Sequence, residues 1–228
     1  MSSLTNQSLC LKMALKMLVI GNWKSNGSHN LCESFIRDLK CNGNVVICPP
    51  AIYLANMVHK ISCVEIGAQD CSSFTNGPYT GDISCELLKG IGIKYVIIGH
   101  SERIRFHHET INNTLDKVHR CLEHNIIPIV CVDDDYQNII DKLSFNEQIL
   151  IAYEPISSIG TGILPDNKYI DIISSHIKSF GKFKTLYGGS VTSKNIDSLK
   201  SIKSLDGVLV GGASLIVSEF QLIVDSCK

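Results

Sequence analysis

The sequence predicts an α/β fold, a single closed barrel of eight parallel strands alternating with helices. Three observations carry that prediction. Eight short runs rich in β-branched and other apolar residues recur along the 228-residue chain. Most of them are continuously apolar rather than alternating, as in strands buried on both faces of a parallel sheet. The intervals between them mostly carry helical periodicity, and eight strand–helix units close into a (β/α)8 barrel.

The strands are expected at 17–22 (MLVIGN), 44–48 (NVVIC), 64–68 (VEIGA), 95–99 (YVIIG), 126–131 (IIPIVC), 149–153 (ILIAY), 184–188 (KTLYG) and 207–211 (GVLVG). Between them, 29–40 sets Leu31, Phe35, Ile36 and Leu39 on one helical face. Residues 109–123 do the same with Ile111, Leu115, Val118 and Leu122, and 168–180 and 193–202 also read as helices, the last with Ser193 as its N-cap. Only residues 132–148 separate the fifth and sixth strands, and they begin VDDDYQ. That region is expected to be shortened, with a helix of about two turns near 138–143 and weak protection from hydrogen exchange.

An open, doubly wound sheet is the competing α/β architecture. It would place a glycine-rich phosphate turn after the first strand, where this chain has Gly21-Asn22-Trp23-Lys24. No linker or low-complexity stretch divides residues 17–228, which read as one barrel domain. Residues 1–16 lack both an acidic residue and the basic n-region of a secretory signal. They read as a loose N-terminal extension; Met13 or Met17 as alternative starts, and an organelle-targeting segment, are the other readings.

Lysine plus arginine number 21 and aspartate plus glutamate 22, a net charge of −1. Without a basic stripe, that argues against a nucleic-acid partner. No apolar stretch reaches the roughly 18 residues of a membrane span. The ten cysteines show no C-x-x-C pair and no zinc-type spacing. They read as small buried hydrophobes of a reducing, cytoplasmic setting, with Cys131 at a strand end as the thiol to watch. The eight histidines show no H-x-x-x-H spacing, and neither metal nor cofactor is expected.

Chemically active residues gather just after the strands. Asn22 and Lys24 follow the first, His100, Ser101 and Glu102 the fourth, Glu154 the sixth, Gly188, Gly189 and Ser190 the seventh, and Gly211 and Gly212 the eighth. In a barrel all these strand ends open on one face, the face that carries active sites. Each residue alone has a bland reading: a structural histidine, a solvated charge, a turn glycine. Their concurrence at different strand ends is what points to a single site.

GNWKSN (21–26), IIGHSERI (97–104), AYEPISSIGTG (152–162), YGGSV (187–191) and DGVLVGGASL (206–215) resemble the triosephosphate isomerase family, over about residues 17–224. The resemblance implies a TIM barrel that interconverts dihydroxyacetone phosphate and glyceraldehyde 3-phosphate, in glycolysis and gluconeogenesis, by proton transfer through an enediolate. It implies Glu154 as the base, His100 as the neutral electrophile and Lys24 as a fixed cation. Asn22 would be a neutral donor, Glu102 and Ser101 supporting residues, and Gly160, Ser190, Gly211 and Gly212 the backbone hold on the phosphate. The lid would run over Pro155, Ile156, Ser157, Ser158, Ile159, Gly160, Thr161 and Gly162 and on to Pro165. Residues 69–84 would dock into a second subunit of a homodimer, with Thr80 reaching the neighbour's site.

The chain departs from the family pattern in three places. Ser157 stands where the lid hinge usually has tryptophan, Ile163-Leu164-Pro165 replaces small or basic residues at the far hinge, and Ile104 replaces a second arginine. Altered lid kinetics with intact chemistry, and one missing structural ion pair, are expected. The competing readings are another phosphate-binding barrel enzyme and a non-catalytic relative. Neither would be expected to keep Lys24, His100 and Glu154 together.

Overall fold

A computed structural model describes residues 17–41, 43–143, 148–158 and 164–228. Eight parallel strands close a barrel in sequence order: β1 (Leu18–Asn22), β2 (Val45–Cys48), β3 (Glu65–Ala68), β4 (Tyr95–Ile98), β5 (Ile127–Val132), β6 (Leu150–Tyr153), β7 (Lys184–Tyr187) and β8 (Gly207–Val210). The seam is β1 against β8, with Ile20 opposite Leu209. Alternate residues point inward, so Ile20, Val46, Ile97, Ile129, Leu150, Leu186 and Leu209 fill the barrel. Their neighbours face outward onto the helices in a second, larger apolar layer. Burial on both faces is why the strands read as unbroken apolar runs.

The helices are α1 (His29–Asp38), α2 (Leu54–Lys60), α3 (Cys85–Gly90), α4 (Ser101–His107), α5 (Ile111–Glu123), α6 (Gln137–Ile140), α7 (Asn167–Ser179), α8 (Ile196–Lys200) and α9 (Val217–Ser226). Ser28, Ser84, Thr110 and Asp166 cap α1, α3, α5 and α7 by accepting backbone N–H bonds, Thr110 in a full capping box with Asn113. Helix α8 is shorter than 193–202, and Ser193 is not its N-cap. Thr192–Asn195 make a turn instead, held by Asn195 Oδ1 on the Thr192 N–H at 2.8 Å, and the Ser193 N–H is taken by Glu219 at 2.9 Å. The interval after β5 is indeed thin. Helix α6 has four residues, yet Tyr136, Ile139, Ile140 and Leu143 are all buried against the barrel. Residues 144–147, the rest of that interval, lie outside the described residues.

Among the described residues no helix is long and apolar enough to cross a membrane. Ile104 is exposed, and the ion-pair network beside it is built without it. Arg103 reaches Asp70 at 3.1 Å and Glu109 at 2.7 Å, and buried Lys117 pairs with the same two carboxylates.

Candidate active site

The strand ends converge as expected. Asn22 closes β1 with its side chain buried, and its Oδ1 accepts the Lys24 N–H at 2.9 Å. Lys24 sits at φ 52°, a left-handed conformation that costs a non-glycine residue energy. The tie from Asn22 is one restraint that holds it there. Gln69 is another: its side-chain amide Nε2 donates to the Lys24 carbonyl at 2.8 Å and to the Cys48 carbonyl at 2.9 Å. Sequence reasoning passed over Gln69 because it assigned 69–84 to the subunit interface; its place directly after β3 was the available signal. The Lys24 ammonium then meets the Glu102 carboxylate at 2.6 Å, so Glu102 orients Lys24 as well as sitting in the first turn of α4.

His100 is the N-cap of α4. Gly99, at φ 68°, makes the turn that leads from β4 into it, and a Cβ there would press on Thr114 at 3.0 Å. The histidine Nδ1 accepts the Glu102 N–H at 3.2 Å. An accepting Nδ1 carries no proton, so the neutral ring presents Nε2–H to the cavity. Burial, then the Lys24 charge, pushes the imidazole pKa down to about 4, against the opposing pull of Glu102. Ser101 is the half-buried first residue of α4.

Glu154 follows β6, is 4 % exposed, and lies with its Oε2 3.5 Å from His100 Nε2. Burial raises its carboxyl to about 8, with Lys24 pulling the other way. Gly188 makes room for it: a Cβ there would stand 2.6 Å from Glu154 Cγ and 2.9 Å from its Oε1. Cys131, the thiol to watch, is 2 % exposed. Burial, then the Glu154 charge, pushes its thiol well above the ordinary range, which makes it a poor nucleophile rather than a reactive one.

Opposite these side chains the wall is backbone. Ser190 has φ 23°; its Oγ donates to the Ser158 carbonyl at 2.5 Å, and Asn195 Nδ2 holds its carbonyl at 2.9 Å. Gly211 and Gly212 lead into a single 3-10 turn, Gly212–Leu215, pinned by the Ser214 hydroxyl on the Gly211 carbonyl at 2.7 Å. Among the described residues a Cβ at Gly212 would meet nothing within 4 Å, so that backbone faces the cavity. The cavity so enclosed measures about 300 Å³ and is lined by Asn22, Lys24, His100, Glu154, Ser190 and Gly212, among others.

Of the lid, Pro155, Ile156 and Ser158 are in place, with Ser158 buried against the 187–190 turn. The side chain of Ser157 and the expected lid residues Ile159, Gly160, Thr161 and Gly162 lie outside the described residues. Thr80 is exposed on the segment between β3 and α3.

A buried carboxylate facing a neutral imidazole N–H, beside a fixed ammonium in a (β/α)8 mouth, defines a site of the acid–base enzyme class. Comparison with known proteins gives the particular family. The family model described as triosephosphate isomerase matches residues 17–227. The triosephosphate isomerase of Wolbachia sp. subsp. Brugia malayi is 38 % identical over 94 % of this chain and 99 % of its own. Those of Buchnera aphidicola subsp. Cinara cedri and Mycoplasma mobile are 38 % and 37 % identical, over 92 % and 90 % of this chain and 98 % and 97 % of theirs. The chain belongs to the triosephosphate isomerase family and is an isomerase.

Proposed function

We propose that this enzyme interconverts dihydroxyacetone phosphate and glyceraldehyde 3-phosphate, with Glu154, His100 and Lys24 as the groups that carry the reaction. The Glu154 carboxylate removes the proton from the carbon beside the carbonyl. His100 Nε2–H hydrogen-bonds the oxygen on which negative charge develops, and Lys24 adds positive charge there and toward the phosphate. Glu154, now protonated, returns the proton to the neighbouring carbon. A desolvated carboxylate is the stronger base, and a neutral imidazole is the better matched donor to an enediolate oxygen. The phosphate rests on backbone N–H groups of Ser190, Gly211 and Gly212; Gly160, also expected there, lies outside the described residues. That arrangement lets a chain of net charge −1 hold a dianion.

The observation that supports this best is the His100 Nε2 to Glu154 Oε2 approach of 3.5 Å, with Lys24 lining the same cavity. The test is conversion of glyceraldehyde 3-phosphate by purified protein without metal or cofactor, followed through a coupled dehydrogenase. Turnover that survives in E154Q would refute the assignment of the base. Excess methylglyoxal, formed by loss of phosphate from an unprotected enediolate, would show that the lid with Ser157 closes poorly.

The homodimer and a cytoplasmic location in glycolysis and gluconeogenesis belong to the same reading. Phe74 and Tyr79 stack at 4.3 Å on the 69–84 segment, and both are exposed. A groove of about 770 Å³ beside Lys24, lined by Ser25, Pro50, Gln69, Asp82 and Phe106, has the size to receive such a segment from a second copy, with Thr80 at its tip. Light scattering at assay concentration tests it; a monomer would overturn it.

A further inference from the structure

Three cysteines that no spacing in the sequence connects meet in the fold. Cys71 leaves β3, Cys85 is the first residue of α3, and Cys121 lies on α5. Their sulfurs all fall within 4.8 Å of one another, with 3.6 Å between Cys85 and Cys121 and 3.9 Å between Cys71 and Cys121. Exposure is 3 %, 1 % and 0 % for Cys71, Cys85 and Cys121. We propose that this cluster is a binding site for one soft, thiol-seeking cation held by three sulfurs, Cu(I) in chemical class.

The geometry suits a three-sulfur site. A metal–thiolate bond is about 2.3 Å, so three sulfurs around a central ion stand about 4 Å apart. The 3.6 and 3.9 Å separations lie just below that value, and the third is no more than 4.8 Å. Among the described residues no fourth histidine, cysteine or carboxylate joins the group. Structural zinc takes four ligands, whereas a soft monovalent ion accepts three thiolates. The three are buried, as the reading of the cysteines as small hydrophobes expects, and the sequence does not show the cluster because they come from separate elements.

As the ion enters, the three thiols lose their protons to solvent and form metal–sulfur bonds; no electron is transferred.

Asp70 precedes Cys71 and pairs at 2.7 Å with Lys117, one turn before Cys121 on α5. A bound ion would fasten the root of the 69–84 segment to α3 and α5. It would raise stability by mass action, because the unfolded chain does not hold the three sulfurs together.

The test is anaerobic titration of the full-length protein, reduced with a phosphine, with Cu(I) against a chromogenic Cu(I) chelator. The expected result is one Cu(I) withdrawn per chain, a sulfur-to-copper charge-transfer band, and X-ray absorption from three sulfurs at about 2.3 Å. Cys71→Ala and Cys85→Ala should each weaken binding by roughly tenfold or more, and Cys63→Ala should not. Near-ultraviolet circular dichroism reports whether each variant is folded. Failure of the wild type to compete, two-sulfur coordination, or unchanged affinity in folded C71A and C85A would each overturn the proposal. Should both variants fail to fold, the sulfur count in the wild-type absorption spectrum decides. Four-coordinate zinc binding in preference to Cu(I) would overturn the choice of ion.

Discussion

The two ends of the cavity are built on different principles. At the β1, β4 and β6 end the groups are side chains, each tied to another: Asn22 to the Lys24 backbone, Glu102 to the Lys24 ammonium, and the Glu102 N–H to His100. At the β7 and β8 end the wall is glycine and serine backbone, braced from behind by Ser158, Asn195 and Ser214. On the proposed reading the first end performs proton transfer, where pKa and direction matter. The second offers hydrogen-bond donors to an anion, where close approach matters. Breaking the first should therefore cost kcat, and breaking the second should cost KM.

The largest effect is expected from E154Q, which keeps the shape and removes the base; kcat should fall by about 10³-fold or more. Next is G188A. Its methyl would stand 2.6 Å from Glu154 Cγ, so the carboxylate must shift, and displacement of a reacting group by about 1 Å costs roughly 10²-fold. Steady-state kinetics should show the loss in kcat with KM little changed; a pure KM effect would blur the division between the two ends. G212A is the matched control. Its methyl meets no atom of the described residues within 4 Å but intrudes on the proposed phosphate position, so KM should rise several-fold with kcat nearly kept. Q69A should have the smallest effect, a few-fold in kcat, because the Asn22 tie to Lys24 remains.

The pH dependence sharpens the same contrast. The catalytic base must be ionised, so kcat/KM should rise as pH climbs through about 8, while His100, titrating near 4, stays neutral throughout that range. Stability runs the opposite way. The folded Glu154 holds its proton up to about 8, whereas the unfolded chain releases it near 4.5. The native state therefore binds the extra Glu154 proton between those values, a contribution that falls as pH rises; His100, lowered from 6.5 to about 4, contributes the opposite slope up to about 6.5, so the net fall in stability is expected between about 6.5 and 8. Thermal melts of E154Q should lose that slope; an unchanged slope would place its origin elsewhere.

Much of this was legible in the sequence. All eight strands read correctly because burial on both faces leaves continuous apolar runs, and those runs survive any detail of packing. His100 and Glu154 were legible because a charged or titratable residue directly after such a run contradicts its surroundings. Short helices were harder. The α2, α3 and α4 segments were not assigned boundaries, and α8 was drawn too long, because few turns leave little periodicity to read; the ten-residue α9 was also left unassigned.

What the sequence by itself determined is the barrel, the positions of its eight strands, and the chemical types of residue at its mouth. These follow from local hydrophobic pattern and strand-end position alone. The tertiary structure decided which of those groups touch. Gln69 belongs to Lys24, Gly188 belongs to Glu154, and three scattered cysteines share one point in space. Such pairings depend on the distance across a closed barrel and its helical layer, and no one-dimensional spacing encodes that distance.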